Sequence, residues 1–140
     1  MDTKLETPLD GPAVAGTDRG GPAAQLVVRY LTAFYSGDFE GAEPLVAGDF
    51  SFRGPFLEVD GRAAFFEGAE GLRRIVRGHR LLRQWENGAE VCAIYEVDIE
   101  TPLGAGAVLM SEWDTVHGGQ IIASRVIFDS ALFRALVPHR

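Results

Sequence analysis

The chain has 140 residues, of which 46% are hydrophobic, and carries a formal net charge of −7 from 13 basic and 20 acidic side chains. That length supports one domain with one core and leaves no room for a second. The negative balance repels nucleic acid and anionic membrane surfaces at long range, so neither is expected as a partner.

The first twenty residues mix Pro8, Pro12, Gly11, Gly16 and Gly20 with acids and scattered small apolar side chains. No period of two or 3.6 runs through them, which predicts a disordered tail over 1–20 and a folded domain over 21–140. After Pro22, the residues Leu26, Val27, Tyr30, Leu31, Phe34 and Tyr35 recur at helical spacing. Gly37 supplies a stop, and Asp38 is placed to cap a second helix carrying Phe39, Ala42, Leu45 and Val46. Pro44 sits awkwardly inside that helix, and Gly48 ends it. Phe50 and Phe52 alternate with Ser51 and Arg53 as a short half-buried strand, Gly54–Pro55 turns the chain, and Phe56–Asp60 is a second extended piece. A third helix is predicted over 62–76, with Phe65, Ala69, Leu72, Ile75 and Val76 on one side and Gly68 and Gly71 weakening it. Beyond Gly78 the pattern is β throughout. Strands over 79–86, 89–100, 105–116 and 121–128 are separated by Asn87–Gly88, Pro102–Gly104 and Gly118–Gly119. Ser130–Leu136 reads as a short closing helix.

Arg73, Arg74, Arg77, Arg80 and Arg83 form a basic run, but acids flank it and no stacking aromatics accompany it, so it reads as a solvated face. Cys92 is the one cysteine, so no disulfide can form within the chain, and its apolar neighbours predict an inert thiol inside a strand. The N-terminus lacks the basic start and apolar run of a secretory signal, and no stretch approaches the length of a membrane-spanning helix. The expected compartment is the cytoplasm. His79, His117 and His139 show no metal-ligand spacing, and there is neither a phosphate-binding glycine loop nor a G-x-S-x-G. No metal and no cofactor are expected.

The order α-α-β-β-α-β-β-β-β, together with "RYLTAFYSGDFEGAEPLVAGDFSFRGPF", "AIYEVDIE" and "GGQIIASRVIFD", resembles the nuclear transport factor 2-like superfamily, in particular its SnoaL-like, polyketide-cyclase branch. The resemblance covers about residues 24–135. It implies an α+β conical fold, a curved antiparallel sheet packed against about three N-terminal helices around an internal pocket, and it implies that dimers are common. The superfamily includes ketosteroid isomerases, limonene epoxide hydrolases, polyketide cyclases, dehydratases and proteins without chemistry, so the fold does not choose the function.

Residue by residue, the resemblance is incomplete. Epoxide hydrolases of this kind place an Arg and an Asp two residues apart on the strand that contains Asp98; Asp98 matches the acid and Glu96 stands where the Arg would be. Their further acid follows an Arg on the last strand, where Val126 follows Arg125. Val126 also removes the acid that cyclases of the branch use as their base. Gly54 stands at the position of the ketosteroid isomerase base, Tyr30 matches the helix-one tyrosine that donates to an oxyanion, and Glu112 falls near their second oxyanion acid.

Alternation on residues 92–100 puts Glu96, Asp98 and Glu100 on one face of a strand and Tyr95, Val97 and Ile99 on the other. Two carboxyls at i and i+2 inside an apolar cone would have raised proton affinities and could move a proton near neutrality. Alternatively Glu96 and Asp98 face solvent or pair with Arg53, Arg80 or Arg83. Tyr30 is either a core residue or a donor to the ligand. The candidate catalytic set is Asp98, Glu96 and Tyr30, with Phe34, Phe52, Glu112, Trp113 and Val126 as candidate ligand contacts, although a strand tryptophan such as Trp113 more often packs than binds. The function these residues point to is a small-molecule pocket, working either as an isomerase, cyclase or hydrolase on an apolar substrate or as a binding or assembly module without chemistry. Apolar residues on both faces of 105–116, among them Val108, Leu109, Met110 and Trp113, predict a homodimer.

Overall fold

A computed structural model describes residues 20–137; the tail expected over 1–20 lies outside the described residues except for Gly20. Helix α1, Pro22–Tyr35, begins with the proline at its first turn, where a missing N–H costs nothing, and buries Leu26, Val27, Tyr30, Leu31 and Phe34 along one stripe. Gly37, at φ 86°, turns the chain out of it. Asp38 then accepts a hydrogen bond from the Gly41 backbone N–H at 2.9 Å and caps the single-turn α2, Phe39–Ala42. The helix expected to reach Val46 is shorter than its apolar pattern. Pro44 tightens Glu43–Leu45 into a 3₁₀ turn, and Val46 and Ala47 open strand β1, Val46–Arg53.

Strand β2, Glu58–Asp60, pairs with β1. The third predicted helix is two pieces, α3 (Arg62–Gly68) and α4 (Leu72–Ile75), broken where Gly68 and Gly71 flank Ala69 and Glu70. Strands β3 (Val76–Asn87), β4 (Glu90–Thr101), β5 (Gly104–His117) and β6 (Gln120–Phe128) follow as an antiparallel meander, and α5, Ser130–Leu136, closes the chain.

The six strands form one open sheet in the order β2-β1-β6-β5-β4-β3, with β1 running parallel to β6. Register breaks between Val76 and Gly78, Leu81 and Arg83, and Thr115 and Val116 bend the long strands. The sheet therefore curls, and α1 and α3 pack into its hollow side around Val27, Phe34, Phe50, Phe65, Tyr95 and Val97, all buried. This is the conical α+β architecture expected from the sequence. No helix among the described residues is long and apolar enough to cross a membrane.

Candidate functional site

Side chains alternate along β4 and β5, so each strand offers one residue in two to the hollow of the sheet. On β4 the inward set is Val91, Ala93, Tyr95, Val97 and Ile99; on β5 it is Val108, Met110, Glu112 and Asp114. The hollow keeps a cavity of about 240 Å³ between α1, β1, α3, β5, β6 and α5. Its wall is built mainly of rings and aliphatic groups. Phe34 is the hub, stacked on Tyr30 at 5.7 Å and on Phe65 at 5.6 Å, while Phe52 meets Phe65 at 4.7 Å. On the rim, the partly exposed Phe56 stacks on Phe133 of α5 at 5.4 Å, and the Arg134 guanidinium lies over the Phe56 ring, 4.8 Å from its centre.

Into this apolar wall the sheet inserts one carboxyl. Glu112 is only 3% exposed, and its Oε1 accepts a hydrogen bond from the Tyr95 hydroxyl at 2.6 Å. The Tyr95 and Tyr35 hydroxyls are 3.0 Å apart. With the Tyr95 proton committed to Glu112, Tyr35 is the donor in that second bond, and a chain Tyr35–Tyr95–Glu112 results. Tyr35 also lies 3.6 Å from the Met110 sulfur. Burial holds the Tyr30, Tyr35 and Tyr95 phenols above their ordinary proton affinity, and the Glu112 charge pushes each further up, so all three remain neutral donors.

Asp114, completely buried, follows Glu112 on the same face and stands opposite Ser124 of β6. Glu112 Oε2, both Asp114 carboxyl oxygens and Ser124 Oγ have no hydrogen bond of proper geometry among the described residues. The two carboxyls nevertheless act on each other. Burial raises the proton affinity of both; the contacts of Glu112 with Asp114, Tyr95 and Ser124 oppose that rise, whereas the charge of Glu112 drives Asp114 well above the carboxylate range. Burial and the Glu112 charge thus favour the protonated form of Asp114. Glu112, better supported by donors, is the member of the pair that exchanges.

The structure brings together Tyr30, Phe34, Phe52, Glu112 and Val126 of the candidate residues, all on the cavity wall. It does not bring Asp98, Glu96 or Trp113 there, and their expected places in the pocket are corrected. Glu96 and Asp98 are on the outer face of β4, where Arg80 of β3 donates to Asp98 at 2.8 Å and to Glu96 at 2.9 Å. The apolar alternates Tyr95, Val97 and Ile99 claimed the core face, which leaves the acids to solvent and a guanidinium. That pairing holds the Asp98 carboxyl below its ordinary proton affinity, the opposite of what a proton carrier near neutrality needs. Trp113, 47% exposed, is on the outer face of β5, with its indole N–H donating to Glu90 at 3.1 Å and the Arg125 guanidinium 5.5 Å from its ring centre. Tyr35, Tyr95 and Asp114 were not among the candidates. The signal for Asp114 was present: Glu112 and Asp114 repeat on β5 the i, i+2 spacing of the acids on β4.

His79 is half-buried with its ring 5.5 Å from that of Tyr35, and burial followed by the neighbouring Arg80 charge lowers its proton affinity. Cys92 is a free, half-buried thiol. Among the described residues no group of three or more His, Cys, Asp or Glu side chains is arranged to hold a metal ion.

The same architecture recurs in solved structures. A protein from Kribbella flavida is 28% identical, with 78% of this chain and 88% of that one covered and a TM-score of 0.70. A nuclear transport factor 2-like protein of unknown function from Burkholderia pseudomallei superposes with a TM-score of 0.74 over 85% of this chain and 99% of its own, at 15% identity. An LEH-like epoxide hydrolase from M. tuberculosis gives a TM-score of 0.68 over 82% and 89%, at 21% identity. No curated protein matches the chain. The SnoaL-like domain family matches residues 27–124, from the middle of α1 to the centre of β6, and the chain belongs to that family.

Proposed function

We propose that this protein moves a proton on an apolar small molecule held in the cavity, as an isomerase, cyclase or hydrolase working through its own side chains, with Glu112 as the proton carrier. One observation carries the reading: Glu112 is a buried, donor-supported carboxyl in the wall of an otherwise apolar, ring-lined cavity. A carboxylate there takes a proton from carbon next to a ligand carbonyl and returns it at the same or a conjugated position, so no proton is gained or lost over the cycle. The neutral Tyr30 phenol, also in the wall, donates to the oxygen on which negative charge develops. Asp114 keeps its proton beside Glu112 and limits the cost of the carboxylate form.

A second reading, a binding module of the same fold without chemistry, is favoured by Val126. It stands directly across the β5–β6 ladder from Glu112, where the cyclase pattern calls for an acid. In either case the reading includes a cytoplasmic homodimer joined through the outer face of the sheet.

The test is exchange of α-protons for deuterium in apolar ketones, followed by NMR. Wild type accelerates the exchange, and Glu112→Gln reduces the acceleration about 100-fold or more while leaving the fold intact. Acceleration that survives the substitution overturns the role of Glu112. No acceleration with any ketone that binds establishes the module without chemistry.

A further inference from the structure

The cavity's size and the chemistry of its wall restrict what can fill it. An apolar protein cavity of about 150 Å³ holds one benzene. At about 240 Å³, the cavity holds in proportion about ten non-hydrogen atoms, the content of two fused six-membered rings. A four-ring skeleton has about twice as many and would need the close-packed surroundings to give way.

The walls favour flat ligands. Phe34, Phe52 and Phe65 present ring faces and edges around the space, the geometry in which a guest ring stacks offset or edge-on, and Met110 adds a polarisable sulfur. Charge is restricted as strictly as size. Among the described residues that line the cavity there is no Arg, Lys or His, and the one ionisable acid is Glu112. A ligand carboxylate or phosphate would be buried without a counter-charge and beside a like one. An ammonium ligand would have a single buried carboxyl, Glu112, as its only counter-charge, with no second carboxylate in the wall to share the cost of burying it. Hydrogen-bonding capacity is confined to Tyr30, Tyr35 and Glu112, and Glu112 Oε2 has no partner. One ligand hydroxyl, donating to it, satisfies it.

Resting on the reading of this cavity as the functional site, we propose that its ligand is a neutral compound of two fused, largely flat rings carrying one oxygen, either a hydroxyl that donates to Glu112 or a carbonyl that accepts from Tyr30.

Isothermal titration of the full chain tests this with four probes: 2-naphthol, 2-naphthoate, 2-naphthylmethylammonium and the four-ring estradiol. The expected result is micromolar binding of 2-naphthol, with each of the other three weaker by at least tenfold. Val126→Phe, which fills the cavity, weakens 2-naphthol at least tenfold. Should that variant not fold, intermolecular NOEs between 2-naphthol and the Val126 methyls of wild type place the ligand instead. Estradiol or the ammonium probe binding as tightly as 2-naphthol overturns the proposal, and so does 2-naphthol binding that neither Val126→Phe nor the NOEs locate in the cavity. Binding is read here without turnover. Tight 2-naphthol with no Glu112-dependent exchange therefore supports the ligand class and removes the proton-transfer reading, whereas exchange of ketones without preference for two rings overturns the ligand class alone.

Discussion

Asp98 on β4 and Asp114 on β5 are acids of neighbouring strands, yet their protonation links to stability with opposite signs. Asp98, bonded to Arg80, has a lowered proton affinity, so its contribution is present above the ordinary carboxylate range and is lost as pH falls. Asp114 and Glu112 have raised proton affinities because they are buried, so their contribution is full below the ordinary range and is lost as pH rises through the raised values. Stability should consequently decline as pH rises above the ordinary carboxylate range and the buried pair is forced to ionise. Asp114→Asn keeps the shape and removes one titration. Its melting temperature should fall less steeply than that of wild type between pH 5 and 8, so that the difference between variant and wild type grows with pH. Parallel curves would mean that Asp114 does not titrate with the fold. These roles were only half legible in the sequence. On β4 the apolar set is unbroken and the alternation assigns faces correctly, but the resemblance to a catalytic strand drew attention to Glu96 and Asp98, which lie on the outer face. On β5 the pattern is inverted: Glu112 and Asp114 point inward while Leu109 and Trp113 point out. Reasoning from hydrophobicity fails there because a burial cost is being borne at the site where chemistry is proposed.

Among the elements, the strands were the most readable because their ends are set by local turn chemistry. Gly88 at φ 63°, and Gly118 and Gly119 at φ 62° and 77°, occupy conformations that favour glycine, and the hairpins follow. Helices with mixed signals were harder. Apolar spacing alone extends a helix through Val46 and another through Val76, but Pro44 and the Gly68/Gly71 pair interrupt both before packing can hold them. The closing helix α5 was recognised at its observed bounds, and its start has a clear cause: Asp129 Oδ1 accepts from the Ala131 and Leu132 backbone N–H groups at 3.1 and 3.2 Å. That cap matters beyond the helix, since α5 carries Phe133 onto the cavity wall. Asp129→Ala should lower stability by about 1 kcal/mol, seen as a fall in melting temperature of roughly 5 °C in thermal denaturation. An unchanged melting temperature would show that α5 is held by Phe133 and Leu136 packing without help from its cap.

At the scale of the whole molecule, the helices cover only one side of the curved sheet. On the other side a cross-strand row runs Trp85, Cys92, Trp113, Arg125 in register, and Leu109 and Ile127 stand out beside it. Trp85, Leu109, Trp113 and Ile127 are 45%, 52%, 47% and 72% exposed, more apolar surface on one sheet face than isolated exposed residues account for. The row is also polar in charge: Arg125 lies at its β6 end, while Glu90 accepts from the Trp113 indole N–H on the β4 side. Two copies related by a twofold axis, with rows antiparallel, set the basic end of each against the acidic side of the other and bury both tryptophan pairs. A face of this kind is self-complementary, which a partner of uniform charge would not match. Sedimentation at micromolar concentration should therefore give a species of about 30 kDa, twice the 15.2 kDa chain. Trp113→Glu replaces a large apolar ring of the row by a carboxylate and should return the protein to the mass of one chain, with little effect on the fold because the side chain is half outside already. A wild type that sediments as one chain at that concentration excludes the dimer. A dimer that survives Trp113→Glu excludes this face as its interface.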